Sequence, residues 1–531
     1  MACEHPNLET MTTPSAVRPE AAESPADIAP APEDAIHSVR RGVAAGALFM
    51  VLLRFSFRLI GLVNTFILVR LLLPSDFGLV GLVTAAYSII DLLSQMSLQM
   101  VIIRMPAPSR DDYDTAWTLG LIRGVLIAVL LVAAGPFLAS YIHEPRVVQL
   151  CYVLGAVSIV QGFENIRLVD LQRSLQYQQI FVYQVAGKIA GVLTTIPLAF
   201  YLHNYWALIS GIAAMRFTMI AMGYAMRPYK PRFCLASWHE LFHFSKWLMV
   251  GNMLWVIDAN AMTFLIGRIA GTAEIGMYQV GYQIGALPAS EIAAPIRDPL
   301  YAGSARLLGD MNQLRKYFFD NLQLMIAVIT PLSIGICLMA KPIALIFLGT
   351  KWAATIPLIQ YCSLYALFDA IGHYPAGVYT VLNKQREYYG LLALLLLVRV
   401  PAIVIGGLHY GTVGALIAVT ATAVLGMVMW NAFLPRVLGA TLDDFFRATW
   451  RTALSSCAMA VAVAFAVANY PEPEGTAFEL LRFALICLIG AVVHIGTLLA
   501  AWAMCGFPDG AERQALRAMT FLKGRVTISF A

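Results

Sequence analysis

Long apolar runs separated by short polar turns repeat along almost the whole chain. About 20 consecutive apolar residues in a helix are enough to cross the ~30 Å hydrocarbon core of a bilayer. The segments predicted to be transmembrane helices on this basis are 43–70, 78–102, 117–140, 147–167, 182–202, 205–225, 241–266, 276–301, 319–340, 355–381, 388–408, 411–434, 448–469 and 480–504. The pattern therefore predicts an all-α, polytopic membrane protein with about 14 transmembrane helices.

The composition also indicates a lipid environment. The 531-residue chain is 59% hydrophobic and 13% charged, whereas soluble domains carry about 25% charged residues. Its eight cysteines are scattered singly, and the sequence contains no Cys-x-x-Cys or Cys/His cluster, so neither a metal site nor a disulfide framework is indicated. We therefore expect no metal and no cofactor.

Lysine and arginine are distributed unequally between alternate loops. If the N-terminus lies in the cytoplasm, the inner loops and the C-terminal tail hold most of these cations. The outer turns then hold only Arg70, Arg146, Arg268, Lys341 and Lys351. Because the cytoplasmic loops of membrane proteins carry an excess of Lys and Arg, both termini are predicted to be cytoplasmic.

Two halves of the chain contain matching residues in the same order. The matched pairs are Arg70/Arg268, Asp76/Glu274 and Gly78/Gly276 at an offset of 198 residues, and Glu164/Asp369 at an offset of 205. Ordered matches of this kind indicate an internal duplication. Six helices per half is an even number, so the halves should have the same topology and be related by an axis along the membrane normal.

The predicted organisation follows from this duplication. Residues 1–40 are rich in Pro, Ala and Glu and should be a disordered cytoplasmic tail. Residues 41–230 form an N-lobe of six helices, and residues 231–436 form a C-lobe of six helices. Residues 437–505 form two additional helices, and residues 506–531 form a cytoplasmic C-terminal tail.

The break between the first two spans also carries a family resemblance. The stretch "RLLLPSDFGLVGLVTAAYSIIDLLSQMSLQMVIIR" and its second copy "IGRIAGTAEIGMYQVGYQIGALP" resemble segments of bacterial oligosaccharide flippases of the Wzx type. These are polysaccharide transporters of the multidrug/oligosaccharidyl-lipid/polysaccharide exporter superfamily. The resemblance covers roughly residues 43–435 and implies two six-helix lobes around a central cavity.

The same resemblance implies a function. The expected activity is transfer of an undecaprenyl-diphosphate-linked oligosaccharide repeat unit across the bacterial inner membrane, for export of exopolysaccharide or lipopolysaccharide. The implied partners are this lipid-linked oligosaccharide, membrane lipids, and a polysaccharide polymerase with glycosyltransferases. No nucleic-acid partner is expected.

Cations inside the predicted spans are the candidate binding residues. A charge near the middle of a membrane helix costs about 2.5 kcal/mol or more, so it usually faces water or a partner. Arg54 and Arg58 are four residues apart on one face of the first span, and arginine binds phosphate oxygens bidentately. We expect this pair to line an anion-binding cavity; anchoring of a tilted helix, or ion pairing within the bundle, is the alternative. The other candidate cations for the cavity are Arg123, Lys188, Arg216 and Arg399. Arg123 and Lys188 lie close to the inner ends of their spans, so the alternative for these two is that they reach the membrane surface by snorkelling.

Two acids are candidates for ion coupling or gating. Asp258 lies in the middle of the seventh span and is either such a carboxylate or a partner in a static ion pair. Glu291 lies among Pro288, Pro295 and Pro299, which predict a bent or broken helix. That bend is either part of a gate or a mere irregularity.

No catalytic constellation is found, because the sequence lacks HExxH, GxSxG and a complete Walker A motif. No catalytic residue is therefore predicted, and an enzyme is not expected. One alternative is a membrane-embedded glycosyltransferase or polysaccharide polymerase, although the longest predicted outer loop, around "YPEPEGTAFE", has only about ten residues. Another is a drug or ion antiporter of the same superfamily, although a positively charged cavity argues against organic cations as cargo.

Overall fold

The computed structural model describes residues 33–507 apart from gaps at 94–97, 106, 237, 294–295, 297–299, 301–302 and 470–475, and it also describes Arg513. Throughout this part of the chain the structure is helical and contains no β-strand. Residues 1–32 of the predicted N-terminal tail and nearly all of the predicted C-terminal tail lie outside the described residues. So do Pro295 and Pro299. The first helix begins at Glu33, earlier than the predicted start of the first span.

The helices are numbered in chain order. Their bounds are α1 Glu33–Leu71, α2 Pro74–Leu93, α3 Leu98–Arg104, α4 Arg110–Ile142, α5 Arg146–Gly162, α6 Val169–Arg173, α7 Tyr177–Leu202, α8 Trp206–Met226, α9 Trp238–Gly285, α10 Met311–Leu338, α11 Ala340–Ile343, α12 Thr355–His373, α13 Ala376–Val381, α14 Gln385–Leu438, α15 Leu442–Asn469 and α16 Thr476–Met504. A π-helix, Ala289–Ala293, follows α9.

Many of these helices are long enough to span a membrane. Within the described residues, nine are long and apolar enough to cross, or ten if the bent pair Arg146–Gly162 and Ile166–Arg173 is one span. The long helix α14 covers two predicted spans, and α9 covers the predicted span 241–266 and the first part of the span 276–301. The protein is therefore an all-α multi-pass membrane protein, and its arrangement fits the prediction of about 14 spans.

The polar breaks in the sequence pattern correspond to tight turns. Pro74 is the first residue of α2, where a missing N–H and a fixed φ are tolerated. The carboxylate of Asp76 accepts a hydrogen bond from the backbone N–H of Leu73 at 3.1 Å. In the second half, the corresponding break is a single residue of α9, Gly271, with φ of 82°. Gly411 interrupts α14 in the same way with φ of 64°, and glycine adopts such positive angles without a steric penalty.

The two halves touch backbone to backbone where α2 crosses α9. A Cβ added to Gly78 would lie 1.7 Å from the carbonyl oxygen of Thr272, and a Cβ added to Gly276 would lie 1.9 Å from that of Pro74. Thr272 follows Pro74 by 198 residues, as Gly276 follows Gly78. The two contacts are therefore reciprocal, as a twofold relation between duplicated halves requires.

The buried apolar clusters are arranged around this crossing. One cluster combines residues of both halves, with Leu79 and Val83 from α2 and Ile266 and Ile275 from α9 among its members. Among the described residues, a second cluster draws only on positions 101–169, and a third only on positions 293–440. The lobes therefore share packing near the predicted outer turns and have separate cores near the predicted inner loops. The additional helices α15 and α16 pack on each other, and α15 packs on α10.

Replacing Gly78 with alanine should destabilise the protein. The new methyl group would overlap a backbone carbonyl that cannot rotate away, and overpacking of this kind costs about 1–3 kcal/mol. We expect a lower thermal unfolding midpoint for purified Gly78→Ala in detergent. Gly61→Ala in α1 is the matched control, because nothing lies within 4 Å of the added Cβ. An unfolding midpoint for Gly78→Ala equal to that of Gly61→Ala would contradict the close crossing.

Candidate functional site

Arg54 and Arg58 lie at a contact between the two halves. Both side chains project from α1 toward the end of α9 and the π-helix that follows it. The Arg54 guanidinium donates a hydrogen bond to the carbonyl oxygen of Ser290 at 3.1 Å, and that of Arg58 donates to the carbonyl oxygen of Gln283 at 2.9 Å. The pair thus joins the first helix of the N-lobe to the C-lobe.

The Glu291 carboxylate lies between these two cations. Its oxygens are 3.9 Å from Nε of Arg54 and 3.5 Å from Nε of Arg58. The three side chains remain 40%, 25% and 27% exposed, in the order Arg54, Arg58, Glu291. Glu291 belongs to the π-helix, so this part of the predicted irregular helix does carry the acid. One carboxylate is shared by two partly accessible arginines.

Lys188 and Arg216 lie in the same half of the protein. The Lys188 ammonium on α7 is 5.8 Å from the ring centre of Phe57 on α1, which is within the range of a cation–π interaction. Arg216 on α8 lies near the phenols of Tyr87 and Tyr183. Among the residues that the structure describes, neither cation has an Asp or Glu oxygen within 4.0 Å.

Arg123 has its own acidic partner. Its guanidinium lies 2.6 Å from the Asp91 carboxylate and 3.1 Å from the Asp91 carbonyl oxygen. Tyr87 donates hydrogen bonds to Gln161 at 2.8 Å and to Asp91 at 3.4 Å. The Asp91 carboxylate therefore neutralises the charge of Arg123. Lys188 and Arg216 have no such carboxylate among the described residues.

Arg399 is the centre of a buried cluster in the C-lobe. Its side chain is 2% exposed. One terminal nitrogen donates to both oxygens of Asp258 at 2.8 and 2.7 Å, and the other donates to Asp369 at 3.3 Å. The guanidinium also lies 5.7 Å from the ring centre of Tyr365. Two of the predicted candidates, Arg399 and Asp258, are therefore ion-pair partners, and Arg399 also pairs with Asp369.

His373 extends this cluster. Its Nε2 atom is 3.5 Å from the Asp369 carboxylate, and its Nδ1 atom is 2.7 Å from the hydroxyl of Tyr388. Neither His373 nor Tyr365 was among the sequence candidates. The sequence spacing could have indicated both residues, because each lies four residues from Asp369 and so shares its helix face.

Three side chains of this cluster are of types that can bind a metal ion. Asp258, Asp369 and His373 are a described group whose ligand atoms lie within 4.8 Å of one another. However, the Arg399 guanidinium already occupies both oxygens of Asp258 and one of Asp369. A divalent cation would compete with this fixed positive charge, so the residues present do not fit a divalent metal site.

Comparisons with known proteins identify a matching family and several similar proteins. Residues 67–357, more than half of the chain, match the model of a family described as "Polysaccharide biosynthesis protein". "Lipopolysaccharide biosynthesis protein WzxC" of Escherichia coli (strain K12) is 21% identical over 401 residues, which cover 74% of this chain and 80% of that protein. "Succinoglycan biosynthesis transport protein ExoT" of Rhizobium meliloti (strain 1021) is 19% identical over 300 residues, covering 56% of this chain and 61% of that protein.

One solved structure has a similar fold over most of the chain. It is titled "Lipid II flippase MurJ, inward closed conformation" and has a TM-score of 0.68 at 14% sequence identity. The alignment covers 86% of this chain and 99% of that one. The likeness supports the two-lobed helical architecture.

Removing the Arg399 charge should destabilise the C-lobe. Arg399→Gln leaves two carboxylates without their cation inside the bundle, and breaking a buried ion pair costs about 3–5 kcal/mol. We expect a clear fall in the thermal unfolding midpoint of the purified protein. Arg386→Gln, an exposed cation at the start of α14, is the matched control.

A combined variant separates charge from packing. Replacing Arg399, Asp258 and Asp369 together by leucine should restore part of the lost stability, because no unpaired charge remains. An unfolding midpoint for Arg399→Gln equal to that of Arg386→Gln would contradict the assignment of this cluster as a buried ion-pair network.

Proposed function

This chain belongs to the polysaccharide biosynthesis protein family, and we propose that it is a flippase that moves a lipid-linked oligosaccharide across the membrane. Within that class, we propose an undecaprenyl-diphosphate-linked repeat unit as the cargo, in line with the Wzx-type resemblance of the sequence. The names of the relatives support the proposal, since WzxC acts in lipopolysaccharide biosynthesis and ExoT is a succinoglycan transport protein. MurJ, whose fold is similar, is titled a lipid II flippase.

One observation about charge carries the proposal. Arg54 and Arg58 both lie within 4.0 Å of the same partly exposed carboxylate, Glu291, between the lobes. Lys188 and Arg216, in the same half, have no described carboxylate within 4.0 Å. Cations on membrane helices need an anionic or aqueous partner. A diphosphate supplies several oxygens for guanidinium groups, so an anionic cargo would complete the set.

The contact with Glu291 gives the binding step a mechanism. In the resting protein, Glu291 and the carbonyl oxygens of Gln283 and Ser290 hold Arg54 and Arg58 against the C-lobe. An incoming diphosphate competes with Glu291 for both guanidinium groups. Its binding therefore releases α1 from the π-helix, and a ligand that binds one state better shifts the population toward that state. The cargo itself would thus loosen the contact that keeps the lobes together.

We propose a transporter rather than an enzyme. An antiporter of organic cations is disfavoured by the excess of positive charge on the first lobe. We further propose that the protein lies in the bacterial inner membrane with both termini in the cytoplasm, that residues 41–230 and 231–436 move as two lobes, and that a polysaccharide polymerase and glycosyltransferases act on either side of it.

Removing the α1 cations should abolish export. In cells that depend on this protein, Arg54→Gln/Arg58→Gln should reduce surface polysaccharide to background, because each charge-assisted hydrogen bond to an anion contributes about 1.5–3 kcal/mol. The matched control, Arg306→Gln/Arg386→Gln, removes two exposed cations elsewhere and should keep export. The amount of each variant in the membrane is measured by immunoblot. Normal export by the α1 double variant would refute the anion-binding role.

We propose in addition that the Arg399 cluster couples transport to an ion gradient, through Asp258 as the ion-coupling or gating carboxylate. The two acids and one arginine carry a formal charge of −1 when His373 is neutral. One proton or one monovalent cation would therefore neutralise the cluster, which is the change that a gradient could drive.

Asp258→Asn should blunt the dependence of transport on a pH or Na⁺ gradient. The substitution removes one negative charge and with it the need for a neutralising ion. Transport is measured in proteoliposomes under imposed gradients of each ion. Asp443→Asn, an exposed acid at the start of α15, is the control. A gradient dependence of Asp258→Asn that matches the wild-type protein would remove this assignment.

A further inference from the structure

A charged cavity lies between the C-lobe and the additional helices, away from the cations described above. Its volume is about 490 Å³. It is formed by the first half of α10, the start of α15 and Cys505, which directly follows α16. The charged residues that line it are Arg315, Lys316, Asp320, Asp444, Arg447 and Arg451.

The charges of this cavity favour an anion. Four cations and two acids line it, and Asp443 outside the lining pairs with Arg447, so the formal excess is one positive charge. The carboxylate of Asp444 also accepts a hydrogen bond from the backbone N–H of Thr441 at 2.8 Å, as part of the cap of α15. Arg451 is the deepest cation, with 5% of its surface exposed.

Two of the outer cations, Arg447 and Arg315, have protein partners that a bound anion could supplement or replace. Arg447 forms an ion pair with Asp443 at 2.7 Å, but these side chains are 76% and 60% exposed. Exposed ion pairs contribute about 0–1 kcal/mol. Arg315 donates a hydrogen bond to the carbonyl oxygen of Gly439 at 3.0 Å, which leaves its remaining guanidinium donors for another acceptor. A bound anion can therefore recruit these side chains at little cost.

The position of the cavity identifies the kind of anion. Arg315, Lys316 and Arg447 lie near the starts of α10 and α15, in segments that the sequence pattern predicts to face the cytoplasm. Trp450, a residue type enriched at membrane interfaces, also lines the cavity. On the same helix, Phe446 and Leu454 are 64% and 50% exposed, so an apolar surface continues from the charged cavity. A ligand with a phosphate at one end and acyl chains at the other matches both parts.

We propose that this cavity binds the phosphate headgroup of an anionic phospholipid of the inner leaflet. Basic pockets between membrane helices on the cytoplasmic side are suited to such headgroups. The phosphate would bridge Lys316 of α10 and Arg447 of α15, and would hold the additional helix pair against the C-lobe. This role is independent of the cargo, because no residue of the α1 contact takes part in it.

The test is a lipid titration of the purified full-length protein in neutral detergent. Dioleoylphosphatidylglycerol should raise the thermal unfolding midpoint saturably, and native mass spectrometry should detect retained lipid. Dioleoylphosphatidylcholine should do neither. Lys316→Gln/Arg447→Gln should weaken the apparent affinity for phosphatidylglycerol about tenfold or more. Both side chains are exposed, so the variant should fold, which circular dichroism and size-exclusion chromatography check.

A matched control separates a specific site from general attraction. Arg306→Gln/Arg386→Gln removes the same two charges from the predicted cytoplasmic side, but outside the cavity, and should bind phosphatidylglycerol like the wild-type protein. An equal loss in both double variants, or no loss in the cavity variant, would overturn the proposal. So would inorganic phosphate alone reproducing the full stabilisation, because the ligand would then be a soluble anion rather than a lipid.

Discussion

A charged side chain on a membrane helix must find a partner, because hydrocarbon offers it neither water nor counterions. In the C-lobe this requirement is met inside the protein, since Arg399 is held by Asp258 and Asp369 at hydrogen-bonding distances. In the N-lobe, Arg54 and Arg58 of α1 lie near the same carboxylate, and Lys188 and Arg216 have no described acid within 4.0 Å. The proposed cargo, a lipid-linked diphosphate, would supply an anionic partner for these cations.

The crossing of α2 and α9 joins the two halves of the protein. Gly78 and Gly276 bring the two backbones so close that neither can carry a side chain. The largest shared apolar cluster surrounds this contact, while the clusters at the other end each belong to one lobe in the described part of the chain. If the lobes move as proposed, this crossing would stay packed, and the Arg58–Glu291 contact would be a polar connection between lobes that the motion breaks.

Much of the fold could be predicted from the sequence, and less of the site. Hydrophobic runs predict most of the helices directly. The ordered matches between the two halves predicted that they correspond, and the matched residues Gly78 and Gly276 do meet in the structure. The partners of each charge could not be derived, because Arg399 lies 141 residues from Asp258 in sequence and 30 from Asp369. Long-range pairing depends on how helices pack, which periodicity does not encode. The predicted cation set therefore divides in the structure into paired and partly paired members, a distinction that the sequence pattern does not contain.

The central claim is that the α1 cations recognise a diphosphate on a lipid. The most direct measurement is the affinity of the purified protein for undecaprenyl diphosphate and for undecaprenol, which differ only in the anionic group. We expect the diphosphate to bind at least about tenfold more tightly than the alcohol, and this preference to disappear when Arg54 and Arg58 are both replaced by glutamine. Equal affinity of the wild-type protein for the two lipids, or an unchanged preference in the double variant, would contradict it.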